Sequence, residues 1–242
     1  MIEISTRTIL YEPVMDNQGQ ACVRNDGVVE SGAMRAKEQT LGDLLAGRIV
    51  RVTPSFQRPY GGSDDVVAAT VAAAVAAGGR AADAPPELLG GLVTRELAGR
   101  DGVRKALLVD GNQRLATLLL ILLALRDRLR ETAPDAAVRL DESCFLNPDA
   151  PAPLRFKYLA AKADRAAFEA AASGEPFPDP AHPMARAAAR AAAAFAPLGA
   201  AELSSLASRL PSATRARRSI SCARRCAQHL RASMRAWRSI AS

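Results

Sequence analysis

Residues 103–130, VRKALLVDGNQRLATLLLILLALRDRLR, carry the strongest structural signal of the chain. The apolar-rich stretch 103–109 predicts a β-strand, and Gly111 permits a tight turn after it. The uninterrupted run 115–125 then predicts a long buried helix that continues to about residue 131. That run has eleven residues, whereas a membrane span needs about 20, so it predicts the core helix of a soluble protein.

Further elements are predicted on both sides of this unit from apolar periodicity, capping residues and turn residues. Strands are predicted at residues 2–10, 20–24, 48–53, 88–96, 144–146 and 153–158. Helices are predicted at residues 40–46, 64–77, 159–172 and 184–196. Thr40 is the expected N-cap of the first helix, with Asp43 three residues later. Residues 132–153 contain four prolines and predict a loop. A small sheet followed by helices makes the fold class α+β.

The basic charge of the chain is concentrated near its C-terminus. The whole chain has a formal net charge of +7, and 49% of its residues are hydrophobic, which excludes a disordered protein. After Glu202 there are nine arginines and no acidic residue, so residues 1–202 carry a net charge of −2 once those nine are subtracted. Net charge therefore gives no argument that the body of the chain binds nucleic acid.

Two interpretations fit the Arg-, Ser- and Ala-rich segment 203–242. Nine arginines suit an arm that binds DNA phosphates. A shifted reading frame in GC-rich DNA also produces such a sequence, and the abrupt loss of acidic residues and of apolar periodicity favours this second interpretation. We therefore expect a tail that is disordered or frame-shifted, at the end of a truncated product.

The four cysteines, Cys22, Cys144, Cys222 and Cys226, form no regular disulfide framework. The last two have three residues between them instead of two, and no second pair accompanies them, so they do not predict a metal site. The N-terminus lacks the basic and apolar regions of a signal peptide. Reduced thiols in a cytoplasmic protein, with no membrane partner, are the expectation.

Two polar clusters directly follow predicted strands and are the candidates for chemistry. They are QRPY at residues 57–60 and DGNQR at residues 110–114. At the second cluster a helix begins, so its first N–H groups are unpaired and partially positive, and Arg114 adds a full charge. This combination suits a phosphate, with Asp110 holding a phosphate-bound Mg²⁺ or positioning an attacking water.

The same clusters also have a purely structural interpretation, which spacing alone favours by about two to one. Asp110 or Asn112 then caps the helix, Gly111 relieves the turn, and Arg114 lies on the solvated face. The first cluster would bind neighbouring loop carbonyls and pack over the core. The repeated Gln-Arg pair favours a functional site, because both pairs follow strands and would converge across one sheet.

At these clusters the sequence resembles the N-terminal domain of GmrSD-type restriction endonucleases, a ParB- and sulfiredoxin-like domain of bacterial anti-phage proteins. The resemblance spans roughly residues 40–175 and rests on VTPSFQRPY, LLGGLVT and LLVDGNQRLATLLLILLALRDRL in this order. It implies a small ParB-like mixed sheet with packed helices, followed by a helical region. The implied segments are an N-terminal extension or hairpin at 1–36, the ParB-like domain at 37–175, an Ala-rich helical segment at 176–202 and the tail at 203–242.

The resemblance implies a nucleotide-binding and nucleotide-hydrolysing sensory domain of a modification-dependent restriction system. The implied catalytic residues are Asp110, Gln113 and Arg114, and the implied nucleotide-binding residues are Gln57, Arg58, Tyr60, Gly111 and Asn112. The implied cofactors are an NTP and Mg²⁺. The implied partners are DNA and an HNH-type nuclease domain or subunit.

The sequence departs from the family pattern in three places. Asn112 stands where glutamine is usual, and residues 61–63 replace an aromatic residue that commonly follows the tyrosine. The His-x-x-Pro motif of an HNH nuclease is absent, since His182 is followed directly by proline and His229 by Leu-Arg-Ala. We therefore expect no nuclease site in this chain. The alternative function is a non-catalytic ParB-like module, or a truncated remnant, that binds DNA or a partner.

Overall fold

The structure, a computed structural model, describes residues 8–13, 22–25, 28–31, 34–78, 90–97, 103–147, 150–152 and 154–209. Its strands are β1 Thr8–Pro13, β2 Cys22–Asn25, β3 Val28–Ser31, β4 Met34–Gln39, β5 Ile49–Val52, β6 Gly90–Leu97, β7 Arg104–Asp110 and β8 Tyr158–Leu159. Its helices are α1 Leu41–Leu45, α2 Asp64–Gly78, α3 Asn112–Thr132, α4 Pro134–Leu140, α5 Arg165–Ser173, α6 Pro183–Phe195 and α7 Ala200–Arg209. The fold is mixed α+β, which confirms the predicted class.

Six strands form one mixed sheet in the order β4-β1-β6-β7-β5-β8, and β2 pairs with β3 separately. Strands β6 and β7 are antiparallel, and residues 98–102 between them lie outside the described residues. Strand β5 is parallel to both of its neighbours, β7 and β8. Because adjacent parallel strands end at the same edge of a sheet, the segments that follow β5 and β7 leave it side by side. Those segments contain the two polar clusters.

Helix α3 is the centre of the core. Every residue from 115 to 125 is buried, and the helix packs against α4, α6 and α7. Leu92 of β6 and Leu108 of β7 belong to the same buried cluster as α3, so the sheet also contributes to the core around this helix. A helix surrounded in this way is apolar on nearly all sides, which explains the long run in its sequence, with the buried Thr117 as its polar member.

Local sequence signals located most of the central elements. The predicted helices at 40–46, 64–77 and 184–196 match α1, α2 and α6 within one or two residues. The strands predicted at 48–53, 88–96 and 103–109 match β5, β6 and β7 equally well. The strands predicted at 2–10 and 20–24 overlap β1 and β2 only in part, and residues 1–7 and 14–21 lie outside the described residues.

The loop predicted at 132–153 is wrong for residues 134–145. Helix α4 begins at Pro134 and continues into a π-helical turn, Asp141–Phe145. Proline is well tolerated in the first turn of a helix, where its missing N–H would have no acceptor anyway, so Pro134 starts the helix instead of breaking it. The strand predicted at 144–146 is also wrong, and only an isolated bridge joins Leu146 to Phe156.

Two further boundaries need correction. The helix predicted at 159–172 begins only at Arg165, because Tyr158 and Leu159 pair with β5 as the short strand β8. Helix α7 extends into the predicted tail and buries Leu203 and Leu206, one helical turn apart. A disordered tail starting at residue 203 is therefore wrong for this first part, and residues 210–242 lie outside the described residues.

The predicted segment boundaries divide elements that the structure joins. Strand β1, inside the predicted extension 1–36, pairs in parallel with β6 of the main sheet. Helix α6, inside the predicted helical segment 176–202, packs on α3. No helix in the described part of the chain is long and apolar enough to cross a bilayer.

The capping box predicted for α1 is present, and it gives a first test. The Oγ1 of Thr40 accepts the N–H of Asp43 at 2.9 Å, and the Oδ2 of Asp43 accepts the N–H of Thr40 at 3.0 Å. We expect Thr40→Ala to lower the free energy of unfolding by about 1 kcal/mol, measured by urea denaturation. Thr70→Ala is the control, because that hydroxyl only bonds the Val66 carbonyl inside α2. The control should be neutral or slightly stabilising, since alanine favours helix, and an equal loss in both variants would contradict the prediction.

Candidate functional site

The two polar clusters lie against each other at the edge where β5 and β7 end. Gln57 donates from Nε2 to the carbonyl of Val109 at 2.8 Å. Gln113 accepts the N–H of Gly61 on its Oε1 at 3.0 Å and donates from Nε2 to the carbonyl of Pro59 at 3.2 Å. Gln57 thus binds the strand that leads to Gln113, and Gln113 binds the residues that follow Gln57 and Arg58. These contacts confirm that the two Gln-Arg pairs converge. We call residues 54–61 the first loop and residues 110–114 the second loop.

Helix α3 starts in the second loop without a side-chain cap. Gly111 is the N-cap, with a φ of 86°, and no side chain caps the helix. The Oδ1 of Asp110 accepts the N–H of Gly111 at 2.8 Å, so it does not cap the amides of the first helical turn. The expectation that Asp110 or Asn112 caps α3 is therefore wrong. The uncapped amides make this end of α3 partially positive.

Asn112 lies inside the fold and links the start of α3 to two strands at this edge. Its side chain is buried, and its Oδ1 accepts the hydroxyls of Thr53 and Tyr158, each at 2.8 Å. Burial raises the pKa of Tyr158, so its hydroxyl remains a protonated donor to Asn112. Thr53 follows β5 and Tyr158 belongs to β8, so the Asn112 side chain fixes the start of α3 against both strands.

Tyr60 is also buried, at the end of the first loop. Its hydroxyl forms a 2.8 Å hydrogen bond with the Oγ1 of Thr117 on α3. Its backbone N–H donates to the Oδ2 of Asp164 at 2.8 Å. Burial raises the pKa of the Tyr60 phenol, which keeps it neutral. Tyr60 therefore anchors the first loop to the core, as the structural interpretation expected.

Three of the predicted site residues remain at the surface: Arg58, Asp110 and Arg114 are exposed. Arg114 donates from Nη1 to the carbonyl of Gly91 at 2.6 Å, which ties its guanidinium to the start of β6. Arg58 donates no hydrogen bond to any residue that the structure describes. Next to it in the first loop, Phe56 exposes 37% of its surface. The open part of the site thus combines two guanidinium groups, one carboxylate and the start of α3.

The donor set decides which kind of metal the site suits. Among the described residues, no group of three or more His, Cys, Asp or Glu side chains is placed to hold a metal ion. A Mg²⁺ that arrives with nucleotide phosphates keeps several waters and takes only one or two protein carboxylates. The single carboxylate of Asp110 fits such a substrate-borne Mg²⁺, and it does not fit a resident metal centre.

Sequence reasoning missed Asp164, which is 1% exposed and binds Tyr60. The expected helix at 159–172 placed this residue within a helix, with no link to the first loop. Asp164 and Tyr60 are 104 positions apart, so no local pattern could connect them. A prediction that started this helix at residue 165 would have placed Asp164 just before α5, outside the helix.

No protein-family model matches the chain, and no curated protein sequence matches it either. The resemblance to the GmrSD-type N-terminal domain therefore stays a prediction, carried by the two polar clusters and the segments between and after them.

Proposed function

We propose that the first and second loops together bind the phosphates of a nucleotide with Mg²⁺ and hydrolyse it. In this proposal the chain is the sensory domain of a modification-dependent restriction system in the bacterial cytoplasm. The observation that supports it most is the attachment of the loops, through Gln57 to Val109 of β7, just before the second loop, and through Gln113 to Gly61. Two clusters far apart in sequence are thereby held together beside the uncapped start of α3.

The exposed groups match what phosphoryl transfer requires, which is positioning and charge neutralisation more than covalent chemistry. Amides at the start of α3 and the guanidinium groups of Arg58 and Arg114 donate to phosphate oxygens. When bound, Mg²⁺ neutralises charge on the phosphate oxygens, and Asp110 is the ligand that this chain offers it. The contact between Arg114 and Gly91 orients that guanidinium before any ligand arrives.

The buried and bonded residues have positioning roles in this proposal. The Gln113 amide is occupied by Gly61 and Pro59, so we assign it to loop alignment instead of catalysis. Gln57 aligns the first loop on β7 in the same way. Tyr60 and Asn112 fix the two loops to the core through buried hydrogen bonds.

Nucleotide binding by the full chain tests the proposal. We expect Arg58→Ala to weaken the binding of ATP or GTP with Mg²⁺ by about 10- to 100-fold, because a charge-assisted hydrogen bond contributes about 1.5–3 kcal/mol. We expect Asp110→Asn to reduce phosphate release to background. Calorimetric titration measures the first effect, and a phosphate-release assay measures the second.

Arg139→Ala is the matched control, because it removes an exposed arginine from α4, outside both loops. It should change neither affinity nor turnover. Equal affinities of Arg58→Ala and Arg139→Ala would contradict the proposed phosphate site. Equal background turnover in the wild type and in Asp110→Asn would contradict hydrolysis.

A non-catalytic module that binds DNA or a partner is the second candidate. The burial of Tyr60 and Asn112 favours it, because the open groups that remain suit any phosphate, including that of DNA. DNA binding would then need no nucleotide, and Arg58→Ala would reduce the salt dependence by about one phosphate contact. An unchanged salt dependence in Arg58→Ala would place the DNA contacts elsewhere in the chain.

A further inference from the structure

A buried carboxylate, Asp164, lies directly behind the first loop. Its Oδ2 accepts the N–H of Tyr60 at 2.8 Å. Its Oδ1 is buried and forms no hydrogen bond with a described residue, and it faces the Nε2 of His182 at 3.5 Å. A buried carboxylate needs such partners because removal from water is costly. Asp164 therefore joins the segment before α5, the start of α6 and the first loop.

His182 lies beside Asp164 and is oriented by the start of α6. Its Nδ1 accepts the N–H of Met184 at 3.2 Å, which caps the start of α6. A neutral imidazole has one acceptor and one donor nitrogen, so the ring proton is on Nε2, which lies 3.5 Å from the Oδ1 of Asp164. The hydrogen bond to Met184 orients the ring, and its other nitrogen lies against the Asp164 carboxylate, so His182 acts as a brace.

Hydrogen bonds connect Asp164 to the open part of the site. Asp164 fixes the backbone of Tyr60, and the Tyr60 hydroxyl bonds Thr117, whose Oγ1 donates to the carbonyl of Gln113. The Gln113 side chain in turn binds the first loop on both sides of Tyr60. Arg58 lies two residues before Tyr60, and its carbonyl accepts the Nε2 of Gln113 at 3.4 Å, so the position of its backbone depends on this set of contacts.

We propose that Asp164, braced by His182, is a positioning residue that holds Arg58 in register with the start of α3. The effect on ligand binding rests on the proposed function, whereas the effect on the first loop does not. The carboxylate acts through the Tyr60 amide, and it touches neither the nucleotide nor Mg²⁺.

Two substitutions at this position separate the acceptor from the charge. Asp164→Ala removes the acceptor for the Tyr60 N–H. Asp164→Asn keeps an acceptor oxygen, but its NH₂ faces the proton on the Nε2 of His182. Relief of that conflict requires the other histidine tautomer and the loss of the Met184 contact. We therefore expect both variants to lose stability, but only Asp164→Ala to release the first loop.

Two measurements on the full chain test this. Amide hydrogen exchange by NMR, without nucleotide, should be at least tenfold faster at Tyr60 and Gly61 in Asp164→Ala and near the wild-type rate in Asp164→Asn. Affinity for Mg²⁺-ATP or Mg²⁺-GTP should fall about tenfold in Asp164→Ala, whereas Asp164→Asn should stay within threefold of the wild type. Phe195→Leu, at the far end of α6, is the control that lowers stability by changing only the buried core.

A cycle with Arg58→Ala gives the sharpest outcome. If Asp164 acts through Arg58, adding Asp164→Ala to Arg58→Ala should weaken binding by less than twofold, because interacting residues are not additive. Three results would overturn the inference. The losses of affinity in the two single variants could add fully in the double variant. The exchange rate in Asp164→Ala could equal that of the wild type, or affinity could follow stability in all variants. If Arg58→Ala itself leaves the affinity unchanged, the proposed function fails, and the exchange rates at Tyr60 and Gly61 alone decide whether Asp164 holds the first loop. If Arg58→Ala weakens binding and Asp164→Ala does not, only the inference fails.

Discussion

Replacing Arg126 by methionine is expected to lower the free energy of unfolding by about 3–5 kcal/mol. Arg126 lies on α3 and is fully buried. Its guanidinium donates five hydrogen bonds, two of them to the Oδ1 of Asp127 and the others to the Oδ1 of Asp141 and to the carbonyls of Ala171 and Ala172. The group thus joins the end of α3, the π-helical turn and the end of α5.

The expected cost comes from the groups that methionine would leave behind. The carbonyl of Ala172, in the last turn of α5, would lose its guanidinium donor, whereas that of Ala171 keeps the N–H of Gly174 at 3.2 Å. The carboxylate of Asp141 is mostly buried and would lose one of its two guanidinium partners. Methionine replaces the apolar stem of the side chain, but a buried acceptor without a donor costs about 1–3 kcal/mol.

Arg130→Met is the matched control, on the same helix one turn later. Arg130 bonds the same two carboxylates, Asp127 and Asp141, each at 3.3 Å, but 43% of its side chain is exposed. Exposed ion pairs contribute about 0–1 kcal/mol, so this variant should lose no more than that. Urea denaturation of both variants measures the difference. Similar losses would show that burial of the Arg126 guanidinium does not determine its contribution.

Arg126 also shows where sequence reasoning stopped. The charge at this position marks the end of the apolar run 115–125, yet the core continues past it to Leu129. A guanidinium is buried here because the end of α5 and two carboxylates supply its acceptors. Those acceptors lie up to 46 positions away, so apolar periodicity could not reveal them. Periodicity did predict α3 itself, since the signal for a buried helix is local.

The candidate site shows the same division between local and distant signals. The motifs predicted which loops would meet, because strand ends and Gln-Arg pairs are visible in the sequence. They did not predict the direction of each side chain. Tyr60 and Asn112 point into the fold, where Thr117, Thr53 and Tyr158 satisfy them. Their partners come from other strands and helices. Only the three-dimensional arrangement therefore shows that these two residues are buried and that Arg58 is exposed.

Gly111→Ala is expected to cost about 2–5 kcal/mol, the sum of a backbone effect and a steric effect. Gly111 has a φ of +86°, which costs an L-residue about 1–2 kcal/mol. An added Cβ would lie 2.3 Å from the Cδ2 of Leu92 and 3.0 Å from the carbonyl oxygen of Gly91. Overpacking of this kind costs about 1–3 kcal/mol. Leu92 is buried and the Gly91 oxygen belongs to the backbone, so neither atom can move away freely.

The substitution should also disturb the candidate site. The Gly91 carbonyl that the new Cβ would crowd is the acceptor for Arg114. Displacement of β6 from the second loop would change the direction of the Arg114 guanidinium and of the first amides of α3. We therefore expect Gly111→Ala to weaken Mg²⁺-nucleotide binding as well as stability, provided that the variant is measured well below its melting temperature.

Gly47→Ala separates the two effects. Gly47 has a similar φ of +73°, but an added Cβ would have no atom within 4 Å. This variant should therefore lose only the backbone contribution of about 1–2 kcal/mol, with unchanged nucleotide affinity. Urea denaturation and calorimetric titration of the two variants measure the difference. Equal losses of stability would mean that Gly111 is needed only for its backbone conformation, and that its close approach to β6 places no constraint on the site.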